Sequence, residues 1–169
     1  MSTGSKKLSA LLKIELAKRE RWHARFFRLS KHVAEWSKDP SMQVGAVIVD
    51  DHRRVVSVGY NGFPRGVKDL SERYEDRSVK YPMVVHAETN AIITAATDLT
   101  GHTLYCSTGV PCPDCMGVII QAGITTVVAP DKYEVVQTEG AGKRDWDKAA
   151  KISETMAEEA EVELIWIED

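Results

Sequence analysis

Apolar side chains in the N-terminal part of the chain recur with the spacing of a helix that packs on a core. They follow steps of four, three, four and three residues, which is the repeat of one helical face. The positions are Trp22, Phe26, Leu29, Val33 and Trp36. We expect this helix to end near Asp39 and Pro40. Residues 1–20 carry further leucines and predict a helical extension that either joins this helix or folds separately.

Short runs rich in valine and isoleucine follow, and helical patterns separate the later ones. Residues 43–49 and 55–60 predict a β-hairpin around the turn residues 50–53. Further strands are predicted over 103–107, 125–129 and 162–167, and helices over 87–97, 112–122 and 146–160. Residues 61–82 are polar and predict a long loop of the kind that often carries function. This order of elements predicts a three-layer α/β domain with a mixed sheet.

Composition narrows the class of protein. The 169 residues suit one domain, 1–169, and 43% of them are hydrophobic, enough for a core without disulfides. The longest apolar run, 44–49, is far too short to cross a bilayer, and the first residues lack the apolar stretch of a secretory signal. We therefore expect a soluble, cytoplasmic protein.

Charge argues against a surface built to hold nucleic acid, because the net charge is −3. The distribution is uneven. Residues 6–31 hold nine basic and two acidic side chains, whereas residues 134–169 hold eleven acidic and four basic ones. Most of these charges are expected on solvated helix faces, and an electrostatic contact between the two ends is an alternative.

Four residues form a candidate chemical site. His86 and Glu88 open one predicted helix, and Cys112 and Cys115 open the next. A histidine and two cysteines suit tetrahedral zinc and leave a fourth position for water, whose pKa the metal lowers. Glu88 lies two residues from His86, so it can carry a proton without binding the metal. A histidine and a glutamate separated by one residue, followed by Pro-Cys-x-x-Cys, are the signature of zinc nucleobase deaminases.

Other interpretations stay open at this point. Cys112 and Cys115 alone also fit a Cys-x-x-Cys redox protein, which would leave His86 and Glu88 unexplained. Cys106 is a conceivable fourth ligand of a purely structural zinc site, as in a nucleotide-binding regulatory module.

Longer segments resemble the deoxycytidylate (dCMP) deaminases of the cytidine deaminase superfamily. Besides the zinc motifs, the matching segments are residues 36–40 (WSKDP), 43–49 (QVGAVIV), 59–66 (GYNGFPRG), 87–92 (AETNAI) and 119–124 (IIQAGI). The resemblance implies an α/β/α cytidine-deaminase-like domain with a five-stranded mixed sheet. It also implies hydrolysis of dCMP to dUMP and ammonia, which supplies thymidylate synthesis. One zinc per chain is expected, held by His86, Cys112 and Cys115, with Glu88 as the catalytic proton carrier.

The resemblance also implies roles for residues of the 59–66 segment. Asn61 would hydrogen-bond the deoxyribose. Gly59, Tyr60 and Gly62 match a segment that the family links to feedback control by dCTP and dTTP, usually in hexamers, so a homo-oligomer, a hexamer or a dimer, is expected. A 5′-phosphate needs cationic or N–H donors, and Arg65 is the first choice. Further phosphate candidates are Arg77, Lys80 and residues 140–144, and Tyr133 is a candidate for stacking on the base.

The sequence thus predicts a zinc-dependent deaminase of a free pyrimidine deoxynucleotide. Because the metal motif does not choose the ring, another free nucleotide or a modified base is an alternative substrate. A nucleic-acid editor is disfavoured, since it would need a basic groove lined by aromatic side chains. We expect neither a nucleic-acid nor a membrane partner.

Overall fold

The structure is a computed structural model that describes the backbone of residues 3–130 and 146–168 and the side chains of residues 11–130 and 146–168. Its helices are α1 (Thr3–Ala34), α2 (Ser71–Glu75), α3 (Arg77–Met83), α4 (Ala87–Ala95), α5 (Pro113–Gln121) and α6 (Trp146–Glu159). Its strands are β1 (Gly45–Val49), β2 (Val55–Tyr60), β3 (Thr103–Cys106), β4 (Thr126–Pro130) and β5 (Glu163–Ile167).

The described strands form one five-stranded mixed sheet in the order β2-β1-β3-β4-β5. Strand β1 pairs antiparallel with both β2 and β3, while β3, β4 and β5 run parallel. The two parallel connections run through α5 and α6, as parallel neighbours require a crossover. The predicted fold class is confirmed.

Alternation along the strands divides the core into two layers. Val47, Tyr105 and Val128 point to one face, where they pack against α1. Ile48, Cys106 and their neighbours point to the other face, where they pack against α4, α5 and α6. Because β1 lies between β2 and β3 and is covered on both faces by helices, all five of its residues are buried.

Two predicted boundaries change in the structure. The N-terminal extension and the amphipathic helix join into the single helix α1, which ends at Ala34 rather than near Asp39. The predicted loop 61–82 contains the short helices α2 and α3. Neither short helix is long enough to show an apolar repeat in the sequence, and Asp76 caps α3 by accepting the Ser78 N–H.

Helix α1 is longer than the sheet it covers. Its 32 residues span about 48 Å, whereas a five-residue strand spans about 17 Å. Its N-terminal half therefore extends past the core, and four of its apolar side chains are more than half exposed. These are Leu11, Leu12, Ile14 and Leu16. No helix in the described part of the chain combines the length and apolarity needed to span a membrane.

The two oppositely charged ends of the chain do meet. Arg19 of α1 donates to both carboxylate oxygens of Glu163 in β5, each at 2.7 Å. Arg19 also donates to His23 Nε2 at 3.2 Å, and His23 Nδ1 lies 3.0 Å from the Tyr105 hydroxyl. The contact between the ends is therefore made within one chain and runs from Glu163 of β5 to Tyr105 on the buried face of β3.

Candidate metal and catalytic centre

The three predicted metal ligands lie at the N-termini of two helices. His86 is the N-cap residue of α4, and Cys112 is the N-cap residue of α5, which begins with Pro113. Cys115 follows in the first turns of α5. Proline suits the first position of a helix because its missing N–H has no partner there. The two N-termini converge on one spot, so the structure brings the three side chains together.

Their separations fit a tetrahedral zinc ion. His86 Nδ1 lies 3.4 Å from Cys112 Sγ and 3.3 Å from Cys115 Sγ. All three ligand atoms lie within 4.8 Å of one another. Ligands bound to zinc at about 2.0–2.3 Å are about 3.5 Å apart at tetrahedral angles. Three such ligands leave the fourth position open.

The pKa values of the Cys112 and Cys115 thiols shift in opposite directions. A hydrogen bond from Cys115 lowers the pKa of Cys112, and His86 lowers it further. The same hydrogen bond raises the pKa of Cys115. The Sγ atom of Cys115 also lies 3.7 Å from Thr89 Oγ1. The lowered pKa of Cys112, at the positive end of a helix dipole, favours thiolate, which is the form that binds metal.

Glu88 lies beside this ligand set in the first turn of α4. Only 5% of the residue is exposed. Burial raises the pKa of its carboxyl, although His86 opposes this effect. The Cys106 thiol donates to Glu88 Oε1 at 3.7 Å. A buried carboxyl with a raised pKa can accept a proton and return it near neutral pH, which suits general acid–base chemistry.

Gly59 explains how α4 reaches this position. A Cβ atom at Gly59 would overlap the carbonyl oxygen of Ala87 and the amide nitrogen of Ala91. Helix α4 therefore lies directly on the backbone of β2. This packing accounts for a glycine in the segment that resembles the family's regulatory motif. Tyr60 is partly exposed and contacts Trp36 edge to face at 6.1 Å.

Asn61 lies next to the metal ligands but is already bonded. An antiparallel bridge joins Gly62 to Val85, so the neighbours of the bridge are Asn61 and His86. The Asn61 side chain accepts the Val44 N–H at 2.8 Å and donates to the Met42 carbonyl at 2.9 Å. The carboxamide therefore has one fixed orientation, and its role towards deoxyribose stays a prediction.

The candidate phosphate-binding residues differ in their exposure and in their place in the fold. Arg65 is exposed on the loop that follows β2, and its role stays a prediction. Lys80 is buried in an ion pair with Asp39, so it is not exposed to a phosphate. Arg77 opens α3. Residues 140–144 and Tyr133 lie outside the described residues.

A cleft adjoins the metal ligands on the side of α6. Its volume is about 240 Å³. It is lined by Cys112, Pro113 and Asp114 from the start of α5 and by Trp146, Lys148, Ala149 and Ile152 from the start of α6. The cleft thus lies between the start of α5 and the start of α6.

The contacts of two buried residues near the site differ from those that the sequence suggests. Cys106 is a conceivable zinc ligand by sequence, yet its thiol contacts Glu88. Alternation along β3 could have revealed this, because Cys106 shares a face with Leu104 and not with Tyr105. The partnership of Lys80 with Asp39 left no such signal, since the two are separated by 41 positions.

Fold and centre together define a class. An α/β/α domain that presents one histidine, two cysteines and a neighbouring buried glutamate has the arrangement of zinc-dependent nucleobase deaminases.

The comparisons with known proteins agree. The sequence profile of the cytidine and deoxycytidylate deaminase zinc-binding region matches residues 20–130. An uncharacterized deaminase of Aliivibrio fischeri is 44% identical over 147 residues, which cover 87% of this chain and 94% of that protein. The chain belongs to the cytidine and deoxycytidylate deaminase family, and it is a zinc-dependent deaminase.

Two further relatives point to the same family. The deoxycytidylate deaminase of Homo sapiens is 41% identical over 121 residues, or 66% of each chain. The crystal structure of the dCMP deaminase of cyanophage S-TIM5, in complex with dCMP and dUMP, matches with a TM-score of 0.65 and 25% identity. That match covers 85% of this chain and 95% of the phage protein. The match to the zinc-binding region and the group of His86, Cys112 and Cys115 confirm zinc as the cofactor, and the redox interpretation loses its support.

Proposed function

We propose that this protein hydrolyses dCMP to dUMP and ammonia at the metal centre. The observation that carries the proposal is the buried carboxyl of Glu88 beside three zinc ligands at two helix N-termini. The relatives described as deoxycytidylate deaminases, one of them with dCMP and dUMP bound, support a pyrimidine deoxynucleotide as the substrate.

In the proposed reaction His86, Cys112 and Cys115 would hold zinc, which when bound would supply a Lewis acid that lowers the pKa of water. The Glu88 carboxylate would accept a proton from the water whose oxygen adds to the ring carbon that bears the amine. The same carboxyl would then donate that proton to the departing nitrogen, which leaves as ammonia, while the second proton of the water passes to the adjacent ring nitrogen as the carbonyl forms. Because burial raises its pKa, Glu88 can hold the proton between the two steps.

The remaining contacts are proposed by matched position. Asn61 binds the deoxyribose, and Arg65 binds the 5′-phosphate. The place of Asn61 beside His86 supports the first contact, and the exposed guanidinium on the same loop supports the second.

Regulation and assembly extend the proposal. We propose that dCTP and dTTP act through Gly59, Tyr60 and Gly62, that the chain forms a homo-oligomer, and that it works in the cytoplasm as a single deaminase domain, 1–169. The match to the family's regulatory segment supports the first point. Exposed apolar residues at the end of α1 support the second.

The test offers dCMP, dCTP, deoxycytidine, CMP and dAMP in parallel to purified protein of measured zinc content and follows ammonia release. We expect selective turnover of dCMP at one zinc per chain. If zinc is bound and none of the five is deaminated, the dCMP proposal fails while the metal site stands.

A further inference from the structure

A buried ion pair lies close to the centre and has no part in the proposed chemistry. The Lys80 ammonium of α3 lies 2.7 Å from both carboxylate oxygens of Asp39. Their side chains are 8% and 2% exposed. Lys80 also donates to the Ser41 hydroxyl at 2.5 Å. Removing two charges from water is costly, and such a pair is by itself a weak source of stability.

The Asp39 carboxylate organises the turn that leads into β1. It accepts the Ser41 N–H at 2.9 Å and the Met42 N–H at 3.2 Å. Burial would raise the pKa of Asp39, but the hydrogen bonds from Lys80 and Ser41 hold it below its usual value. The carboxylate thus stays ionised and keeps the turn in one conformation.

This turn before β1 also fixes the orientation of the Asn61 side chain. Its carboxamide donates to the carbonyl of Met42 and accepts from the N–H of Val44, so both of its polar atoms bond to the segment that Asp39 organises. Asn61 Nδ2 also reaches Asp39 directly, at 3.5 Å. Its orientation therefore depends on where the Asp39 turn lies.

The backbone of Lys80 leads to the metal ligands. The Lys80 carbonyl accepts the Val84 N–H at 2.9 Å at the end of α3. The next residue, Val85, exchanges backbone hydrogen bonds with Gly62, at 2.9 and 3.1 Å. His86 follows directly. Lys80 is therefore tied to Asn61 through its side chain and to the His86 segment through its backbone.

We propose that Lys80 and Asp39 are positioning residues, whose buried pair orients Asn61 towards the nucleotide and holds it in register with His86. This inference rests on the proposed function. It assigns the buried lysine a role in substrate binding through Asn61 rather than in contact with the phosphate.

A second lysine–aspartate pair provides the matched control. Lys38 donates to Asp69 at 2.7 Å, but the two side chains are 69% and 34% exposed. Surface pairs of this kind contribute little. We expect Lys38→Met to leave KM for dCMP unchanged.

The experiment compares Lys80→Met with Lys38→Met by KM and kcat for dCMP, zinc content and thermal unfolding. We expect Lys80→Met to raise KM by roughly tenfold to a hundredfold, the range for a lost charged hydrogen bond. We expect kcat to change less than threefold, which corresponds to about 0.6 kcal/mol or less in activation free energy. We expect the zinc content to be retained. Because Lys80→Met leaves Asp39 buried and unpaired, the double variant Asp39→Asn/Lys80→Met removes both charges together and serves if the single variant does not fold.

A double-mutant cycle with Asn61→Ala tests whether Lys80 acts through Asn61. If Lys80 acts through Asn61, the double variant Asn61→Ala/Lys80→Met has the KM of Asn61→Ala alone, whereas independent effects multiply. Multiplying effects overturn the inference, as does an unchanged KM in a folded Lys80 variant. A wild-type protein that does not deaminate dCMP overturns the proposed function instead.

Discussion

Neighbouring residues of β3 face two different environments. Tyr105 points to the α1 side, where its hydroxyl meets His23, and His23 meets Arg19, which binds Glu163. Cys106 points to the α4 side, where its thiol, a weak donor, makes a 3.7 Å contact with the buried carboxyl of Glu88. On one face the polar groups join an exposed ion pair to a buried tyrosine. On the other they lie beside the metal ligands.

The contrast shows on which face of the sheet this domain places its reactive groups. The α1 side joins charge to charge and aromatic ring to aromatic ring, with Phe26 and Tyr105 at 5.3 Å. The α4 side collects thiols, an imidazole and a carboxyl at helix N-termini. The reactive groups thus gather on the face where two helix N-termini converge.

The largest effect on kcat is expected when the carboxylate on one face is removed and compared with removal of a carboxylate on the other face. Glu88→Ala should lower kcat by roughly 10²–10⁴-fold, the usual share of general acid–base catalysis, while zinc is retained. Glu163→Ala removes the carboxylate on the α1 side and should leave kcat nearly unchanged. Steady-state ammonia release with metal analysis measures both. Undiminished turnover in Glu88→Ala would remove the residue from the proton-carrying role.

Two glycines allow the packing of the faces to be compared. A Cβ at Gly45 would overlap the α1 backbone at Ser30 and Ala34, and one at Gly59 would overlap the α4 backbone. Either alanine variant should destabilise the fold by about 3 kcal/mol through overpacking. We expect only Gly59→Ala to weaken zinc binding as well, because α4 carries His86. Gly62→Ala, which meets open space, is the control in denaturant unfolding and zinc titration.

Truncating the two β3 side chains separates catalysis from stability. Cys106→Ala removes the donor to Glu88 and should lower kcat by about tenfold, equivalent to about 1.4 kcal/mol. Tyr105→Phe removes only the hydroxyl and should lower the free energy of unfolding by about 1 kcal/mol with kcat unchanged. The reverse result, a slow Tyr105→Phe and an unaffected Cys106→Ala, would contradict the division between the faces.

The smallest effect should appear in the pH dependence of stability. Burial lowers the pKa of His23 below 6.5, and Arg19 lowers it further, although Glu163 opposes this. A histidine held neutral in the folded state contributes stability above pH 6.5 that is lost as pH falls through its folded pKa. His23→Gln should therefore flatten the decrease in unfolding free energy between about pH 7 and about pH 5. An equally steep decrease in the variant would exclude His23 as its source.

Much of this arrangement could be predicted from the sequence. Short runs of apolar, β-branched and aromatic residues predicted all five strands to within two residues at each end, because such side chains fit a pleated sheet surface. The spacing of Cys112 and Cys115 and the place of His86 predicted a metal centre, because helix starts expose side chains and N–H groups in a fixed direction.

Other features depend on contacts between distant segments. The polar stretch 61–82 gives no sign that Lys80 turns inward, because its partner Asp39 belongs to another part of the chain. The bonds of Asn61 to the turn before β1 are hidden for the same reason. A turn residue and a ligand-binding residue look alike until the tertiary fold supplies their partners.

Helix α1 has a consequence for hydrogen exchange. Residues 22–34 lie against the sheet, so their amides should exchange at the slow rate of global unfolding. Residues 11–18, which extend past the sheet with their leucines exposed, should exchange through local fraying. A single continuous helix would then show two kinetic populations, divided near Arg19, where the ion pair to Glu163 ties it to the last strand.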